Sequence, residues 1–216
     1  MNSPDPVRVL HDDPWARLAR AAGRAGAASS DFDLNPHVNL PADRVLRPAA
    51  VLVAVTEGRH GLELVLTKRA SHLRHHPGQV AFPGGKIEAE DAGPEAAALR
   101  EAHEEIGLDP SIVEPFGRLP VHETVTGFAV QPVLARIHAP FAARAQLGEV
   151  DEVFSVPLSH VTDPARFRVE RRLWRGEWRR YYTVPYGPYY IWGATARILR
   201  GLAHGLGRDN DAESLR

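Results

Sequence analysis

The sequence predicts an α/β (α+β) fold, a layered sandwich in which a mixed sheet carries helices on its faces. Three observations indicate it: short valine- and leucine-rich segments bounded by glycine or proline, one helical pattern in the middle of the chain, and a second near its end. At 216 residues the chain is long enough for one sizeable core. It contains no internal repeat, so we expect a single domain.

Residues 1–46 are expected to form an N-terminal arm with a short helix and a linker. The helix is predicted over Trp15 to Ala22, with Leu18 and Ala19 on one face, and the small and polar run that follows is typical of a linker. The arm could cross to a partner subunit and make a homodimer, or it could be a tail. Its first residues have no apolar run after a basic start, so no secretory signal is expected.

The main domain is expected over 47–206 and opens with two strands. The segments AAVLVAV, from residue 49, and LELVLTK, from residue 62, are rich in valine and leucine, and the turn between them contains glycine. The segment QVAFPGG, over 79–85, predicts a brief strand, which ends at a proline and two glycines.

A helix is predicted next, from Pro94 to Ile106, because proline is favoured in a first helical turn and Gly107 is a typical stop. Three glutamates occupy one third of its circumference, and three apolar residues project from the opposite side. The glutamates are Glu101, Glu104 and Glu105, and the apolar residues are Leu99, Ala102 and Ile106.

The rest of the chain predicts more strands and a last helix. Strands are expected over 116–125, 128–137 and 150–158, a hairpin over 166–184 about Gly176, a helix from Ile191 to residue 206, and a disordered tail over 207–216. The helix has Ile191, Ala194, Ile198, Leu199 and Leu202 at helical spacing.

Composition narrows the function classes. The formal charge is -1, from 26 basic and 27 acidic residues, so the chain as a whole is not built to attract nucleic acid or a membrane surface. No run of about 18 apolar residues predicts a membrane span. There is no cysteine, which excludes disulfides, thiolate catalysis and cysteine zinc sites and is compatible with a reducing cytoplasm.

The crowded glutamates have a chemical explanation. Glu101 and Glu105 are a like-charged pair one turn apart, which costs a few tenths of a kcal/mol in an isolated helix. They also lie near the helix C-terminus, where the macrodipole disfavours anions. A divalent cation would reverse both penalties, since Mg²⁺ and Mn²⁺ prefer clustered oxygen ligands. The alternative is an ordinary solvated acidic face.

The segment GGKIEAEDAGPEAAALREAHEEIGL resembles the signature of Nudix hydrolases. The matching residues are Gly85, Asp91, Arg100, Glu101, Ala102, Glu104, Glu105 and Gly107. The resemblance implies an α/β/α sandwich with a metal-binding helix after a Gly-Gly loop. It also implies an enzyme that cleaves nucleoside diphosphate derivatives with Mg²⁺ or Mn²⁺.

The resemblance also implies roles for these residues. Glu101 and Glu105 would be metal ligands, Glu104 would share ligation or act as the base, and the Gly85 carbonyl could add a ligand. Arg100 would orient the glutamates by charge-assisted hydrogen bonds.

Three further acids lie outside the glutamate helix. Asp91 lies one residue further from the arginine than the common signature has it, so we expect it to cap the helix start rather than to bind metal. A base could also come from a loop, with Glu149 and Glu152 as candidates. The alternative for each of these two is a surface glutamate at a strand start.

Upstream, the stretch LVLTKRASHLRHHPGQVAFPGG resembles the motif that precedes the signature in coenzyme A pyrophosphatases. The C-terminal YYIWGATARIL resembles the same group. Members hydrolyse coenzyme A or its thioesters to adenosine 3′,5′-bisphosphate and 4′-phosphopantetheine or its acyl form. Basic side chains beside a glycine turn suit such a phosphate-rich ligand, and the predicted substrate-binding residues are Lys68, Arg69, Arg74 and Gly84.

Two alternatives stay open. A Nudix hydrolase for ADP-ribose or another nucleoside diphosphate derivative would share the metal helix, although it would not require the motif upstream. The segment 171–190 interleaves aromatic residues with arginines, which could bind nucleic acid but equally suits a plain antiparallel hairpin. We favour the hairpin and expect neither a nucleic-acid nor a membrane partner.

Overall fold

The structure, a computed structural model, describes residues 13–38, 40–41, 43–59, 61–73, 76–174 and 176–214. Arg74, one of the predicted substrate-binding residues, lies outside the described residues.

The chain forms eleven strands and four α-helices within these residues. The helices are α1 (Pro14–Gly23), α2 (Pro94–Ile106), α3 (Leu158–Val161) and α4 (Gly193–Ser214). The strands are β1 (Ser29–Ser30), β2 (Arg47–Gly58), β3 (Gly61–Arg69), β4 (Val80–Ala81), β5 (Gly84–Lys86), β6 (Val113–Arg118), β7 (His122–Glu123), β8 (Phe128–Ile137), β9 (Val150–Pro157), β10 (Arg168–Trp174) and β11 (Glu177–Thr183). Short 3₁₀ turns cover Pro110–Ile112 and Pro164–Arg166.

Nine of the strands make one mixed sheet. Its order is β1-β7-β8-β2-β3-β4, with β5 also paired to β2, β6 to β8 and β9 to β3. The β2–β8 and β1–β7 pairs are parallel and the others are antiparallel. This confirms the predicted mixed α+β class.

Two cores lie on opposite faces of the sheet. Successive residues of β2 alternate between them, since Val53 and Val55 belong to one core, whereas Leu52 and Ala54 belong to the other. Helices α1 and α4 pack on the first core, and α2 packs on the second. A strand buried on both faces is apolar at nearly every position, which explains the continuous run in β2.

Helix α2 has the predicted bounds. Pro94 occupies its first turn, and Gly107 ends it with a φ of 67°, in the left-handed region that favours glycine. Leu99 is half-buried and packs against the core under α2, as predicted. Ala102 and Ile106 are fully buried, and Glu105 is buried beside them.

The described part of the N-terminal segment, from residue 13, packs on the rest of the fold. Helix α1 buries Leu18, Ala21 and Ala22, while Ala19, predicted to share the packed face, is exposed. Downstream, β1 joins the edge of the main sheet. The side-chain amide of Asn35 donates to the Arg180 carbonyl and accepts from the Arg180 N–H. Local sequence patterns do not predict these contacts, because each contact joins residues that are far apart in the chain.

Helix α4 continues to Ser214, through most of the predicted disordered tail. Once packing fixes the first turns of a helix, each added residue gains a hydrogen bond without a new nucleation cost. Within the residues that the structure describes, no helix is both long and apolar enough to cross a membrane.

The predicted hairpin is confirmed as β10 and β11, which turn at Gly176. Several of its aromatic and arginine side chains contact one another or the following loop. Tyr181 packs against Trp192 at 5.1 Å between ring centroids, and the Arg172 guanidinium lies 5.5 Å from the same ring. Trp178, at the outer end, is 54% exposed.

The close approach of α1 and α4 gives a stability prediction. A Cβ at Gly205 would collide with the backbone carbonyl of Ala21, whereas a Cβ at Gly207 of the same helix would meet nothing. We expect Gly205→Ala to lower the free energy of unfolding by about 1–3 kcal/mol. Gly207→Ala should be neutral or raise it by up to about 1 kcal/mol through helix propensity. Urea unfolding of both variants checks this, and equal effects would contradict the packing of α1 on α4.

Candidate active site

The candidate site forms where α2 crosses β5. Gly84 and Gly85 pair with Val51 and Ala50 of β2, so the two glycines lie between a central strand and the helix. Gly84 has a φ of 150°, and a Cβ there would collide with the carbonyl of Ala50. A Cβ at Gly85 would lie 2.5 Å from the Glu101 carboxylate. Gly84 is therefore required by its backbone conformation and by its close approach to β2, and Gly85 is required because α2 brings the Glu101 carboxylate against the strand.

Glu105 is the buried acid of the site. Its side chain is 6% exposed, and its Oε2 accepts a 3.0 Å hydrogen bond from the backbone N–H of Gly84. Burial raises its pKa to about 7, with Glu101 and Glu149 adding repulsion, while the Gly84 N–H and Arg69 act in the opposite direction.

Glu101 is the second acid that faces the glycines. Burial raises its pKa, the Arg100 guanidinium counteracts this, and Glu104 and Glu149 add repulsion. The structure thus brings the two predicted first ligands together at Gly85. Glu104 lies on the outer side of the helix with 51% of its side chain exposed, so it is not part of the buried pair.

Arg100 holds this face of the helix in place. Its guanidinium donates to both oxygens of Asp91 at 3.0 and 2.9 Å, to Glu101 at 3.1 Å, to Glu104 at 3.4 Å and to the Lys86 carbonyl at 3.1 Å. These contacts agree with the predicted orienting role of Arg100.

Asp91 does not cap α2, so that prediction was wrong. The cap position is Gly93, which makes no side-chain cap. The pKa of Asp91 is lowered by its hydrogen bonds from Arg100 and from the Glu88 N–H. The helical pattern does not predict this pairing, because Asp91 lies in the loop before α2, nine residues before Arg100.

The two candidates for the loop base, Glu149 and Glu152, have different surroundings in the structure. Glu149 acts electrostatically on both Glu101 and Glu105. Glu152 lies opposite Lys68 on the sheet face that carries Phe154, and its carboxylate accepts a hydrogen bond from Tyr189.

Glu149 reaches the site because the preceding loop caps the end of α2. The backbone N–H of Gln146 donates to the Glu105 carbonyl at 2.8 Å, and that of Arg144 donates to the Ile106 carbonyl at 2.9 Å. The Glu149 carbonyl in turn accepts from the Ala70 N–H at 2.9 Å. Sequence reasoning missed this loop, since its bonds use backbone groups that any residue supplies.

The predicted basic residues lie on different faces of β3. Arg69 follows Val65 in the alternation of β3 that leads to the core under α2, and its charge lowers the pKa of Glu105. Lys68 follows Leu64 and Leu66 in the alternation that leads to the opposite core. The structure therefore brings Arg69, and not Lys68, to the acidic residues.

The residues present fit a divalent cation. Buried carboxylate oxygens that repel one another beside a glycine strand are the hard ligands that Mg²⁺ and Mn²⁺ bind. In the part of the chain that the structure describes, no three acidic or histidine side chains are placed so that they could hold a metal ion together, so the ligands here would be two carboxylates and a backbone carbonyl. Glu101 and Glu104 instead bond Arg100, so a bound cation would compete with this guanidinium for Glu101.

The raised pKa of Glu105 predicts a pH-dependent stability in the presence of a chelator. Between its ordinary value of 4.5 and about 7, the folded state keeps a proton that the unfolded state has lost. Stability should therefore fall as pH rises through this window, by at most about 3 kcal/mol.

Glu105→Gln should remove this slope, while Glu104→Gln, which changes an exposed acid on the same helix, should keep it. Thermal and urea unfolding between pH 4.5 and 8 measure it. An unchanged slope in Glu105→Gln would show that another group causes the dependence.

Comparison with known proteins agrees with this geometry. A family model described as NUDIX domain matches residues 46–174. The "Uncharacterized Nudix hydrolase NudL" of Enterobacter sp. (strain 638) is 46% identical over 161 residues, which cover 74% of this chain and 83% of that protein. The protein of the same name from Salmonella paratyphi B is 45% identical over the same shares.

Solved structures give lower similarity. A Nudix hydrolase from M. smegmatis, RenU, has a TM-score of 0.48 and 20% identity, and covers 78% of this chain and 86% of its own. The NUDIX domain of Shewanella oneidensis NrtR, complexed with ADP ribose, has a TM-score of 0.44 and 22% identity, and covers 58% of this chain and 82% of its own. On the strength of the family match and the relatives, this chain belongs to the Nudix hydrolases, enzymes that act on the pyrophosphate bonds of nucleoside diphosphate derivatives and generally use divalent metal ions such as Mg²⁺.

Proposed function

We propose that this Nudix hydrolase cleaves the diphosphate of coenzyme A or its derivatives. The products are adenosine 3′,5′-bisphosphate and 4′-phosphopantetheine or its acyl form. One observation carries the proposal: the stretch that resembles the coenzyme A pyrophosphatase motif ends beside the acids, where the Arg69 charge acts on Glu105. Two backbone hydrogen bonds join Arg69 to the segment after the turn that follows it. The Arg69 N–H donates to the Gln79 carbonyl, and the Gly78 N–H donates to the Arg69 carbonyl.

Each side chain then has a stated role. Glu101 and Glu105, with the Gly85 carbonyl, would hold Mg²⁺ or Mn²⁺, and Glu104 would share ligation or act as the base. When bound, the cation neutralises the diphosphate and acidifies a water. Arg69 offers the diphosphate a cationic contact from β3. A substrate contact of Gly84 stays a prediction from the motif, since its N–H donates to Glu105. Arg74 stays a prediction from the motif alone.

Glu149 is the better placed of the two loop bases. A carboxylate there can take the proton from the water whose oxygen attacks phosphorus, while the bridging P–O bond breaks and its electrons leave with the second phosphate.

We expect Glu149→Gln to lower kcat by about 10²-fold or more, because a general base contributes on this scale. Glu152→Gln is the matched control, since Glu152 bonds Tyr189 on the other face of the sheet. It should change kcat little. Steady-state kinetics at saturating Mg²⁺ measure both, and a loss that is equal in the two variants would reject Glu149 as the base.

The basic side chains of β3 provide the substrate test. Arg69→Gln should lower kcat/KM for coenzyme A by about tenfold or more, the scale of a charge-assisted contact. Lys68→Gln, which removes the same charge from the opposite face, should have a small effect. The measurement is the initial rate with Mg²⁺ for coenzyme A, ADP-ribose and nucleoside triphosphates.

Preference for coenzyme A in this panel supports the proposal. Preference for ADP-ribose, with coenzyme A turned over poorly, would leave the Nudix assignment in place and assign the site to another nucleoside diphosphate derivative.

A further inference from the structure

A second cleft lies on the other side of the sheet. It has a volume of about 310 Å³ and is bounded by the chain after α1, at Ala25 to Ala28, and by α4. Both elements pack on the core opposite to the one that α2 covers. No residue of the candidate active site lines this cleft.

The cleft is cationic. Arg197, Arg200 and His204 line it from α4, and their spacing of three and four residues places them on one face of the helix. No aspartate or glutamate lines it. Arg197 is already paired, because its guanidinium lies 2.8 Å from Asp33.

Arg200 differs from Arg197 in its partners. Among the described residues it contacts only aromatic rings: its guanidinium lies 4.8 Å from the Tyr182 ring and 5.8 Å from the Phe167 ring. The rings fix the plane of this half-buried cation and remove part of its water without supplying an anion. A guanidinium held in this way keeps its hydrogen-bonding edge available for an oxyanion.

The other walls are apolar and small. They are formed by the alanines after α1, by Ala203 and by the Tyr182 ring. The volume is near the lower limit of ligand pockets, so the cleft fits a compact molecule and not a dinucleotide. The walls and charges together suit an anionic head with a short apolar body.

We propose that this cleft is a second binding site, separate from the diphosphate-cleaving site, for a small organic anion, namely a phosphate monoester with a compact apolar or aromatic body. The phosphate accepts from Arg200 and His204, and the body packs against Tyr182 and the alanines. Phosphate is favoured over carboxylate because its three terminal oxygens can bond both side chains at once.

The test is calorimetric titration of the full chain with phenyl phosphate, accompanied by amide shifts from ¹⁵N-labelled protein. We expect saturable binding in the low-millimolar range, as for a ligand of few atoms, with amide shifts at residues 25–28 and 197–204. Benzoate and inorganic phosphate should bind more weakly, since the first lacks the phosphate and the second lacks the apolar body.

Substitutions test whether phenyl phosphate binds in this cleft. Arg200→Gln and, separately, His204→Gln should weaken phenyl phosphate binding, the first by tenfold or more. Arg171→Gln removes the same charge from the hairpin, where Arg171 lies over Trp178, and should bind as the unchanged protein does. Coenzyme A hydrolysis should be unchanged in all three, and thermal melts check that each variant folds.

Three results would overturn the proposal of a binding site here, and a fourth would overturn its ligand class. The first three are the absence of saturable binding, unchanged affinity in folded Arg200→Gln, or amide shifts confined to Gly84, Gly85 and α2, which would mean that phenyl phosphate enters the active site instead. Tighter binding of benzoate than of phenyl phosphate would reject the phosphate monoester and assign the cleft to carboxylates.

Discussion

The burial of the Glu105 carboxylate against the Gly84–Gly85 strand is the constraint on which the site depends. Beside it, Gly85 leaves room for the Glu101 carboxylate, and Gly84 fits closely against the backbone of β2. The Gly84 N–H gives the acid one hydrogen bond, which offsets only part of the cost of burial, so its pKa stays near 7. A bound cation would turn this cost into affinity.

The remaining contacts of the site hold this acid and its neighbours in position. Arg100 ties the outer glutamates to Asp91 and to the backbone of β5, and the 144–149 loop bonds the end of α2 while delivering Glu149. Arg69 is the cation that acts on Glu105 from β3. In the proposed function the acids would hold the metal and Arg69 would contact the phosphate from β3.

Much of this arrangement could be predicted from the sequence. The features that depend on contacts between residues far apart in the chain could not. The bounds of α2, the hairpin at Gly176 and the pairing of β2 with β3 follow from local signals such as proline, glycine and valine-rich runs. The bond of Asp91 with Arg100, the difference between Glu149 and Glu152, and the packing of α1 depend on loops and on which face of a strand a residue occupies. Such features are set by tertiary packing, for which a local pattern carries no signal.

The division of the sheet into two faces also explains why the chain can hold two unlike sites. One face buries acids under α2, and the other presents arginines beside aromatic rings along α4. Crystals grown with Mn²⁺ and measured at its anomalous edge test the central claim most directly. The account predicts an anomalous peak within bonding distance of Glu101, Glu105 and the Gly85 carbonyl, with the Glu101 carboxylate turned away from Arg100. A peak that involves neither Glu101 nor Glu105 would contradict it.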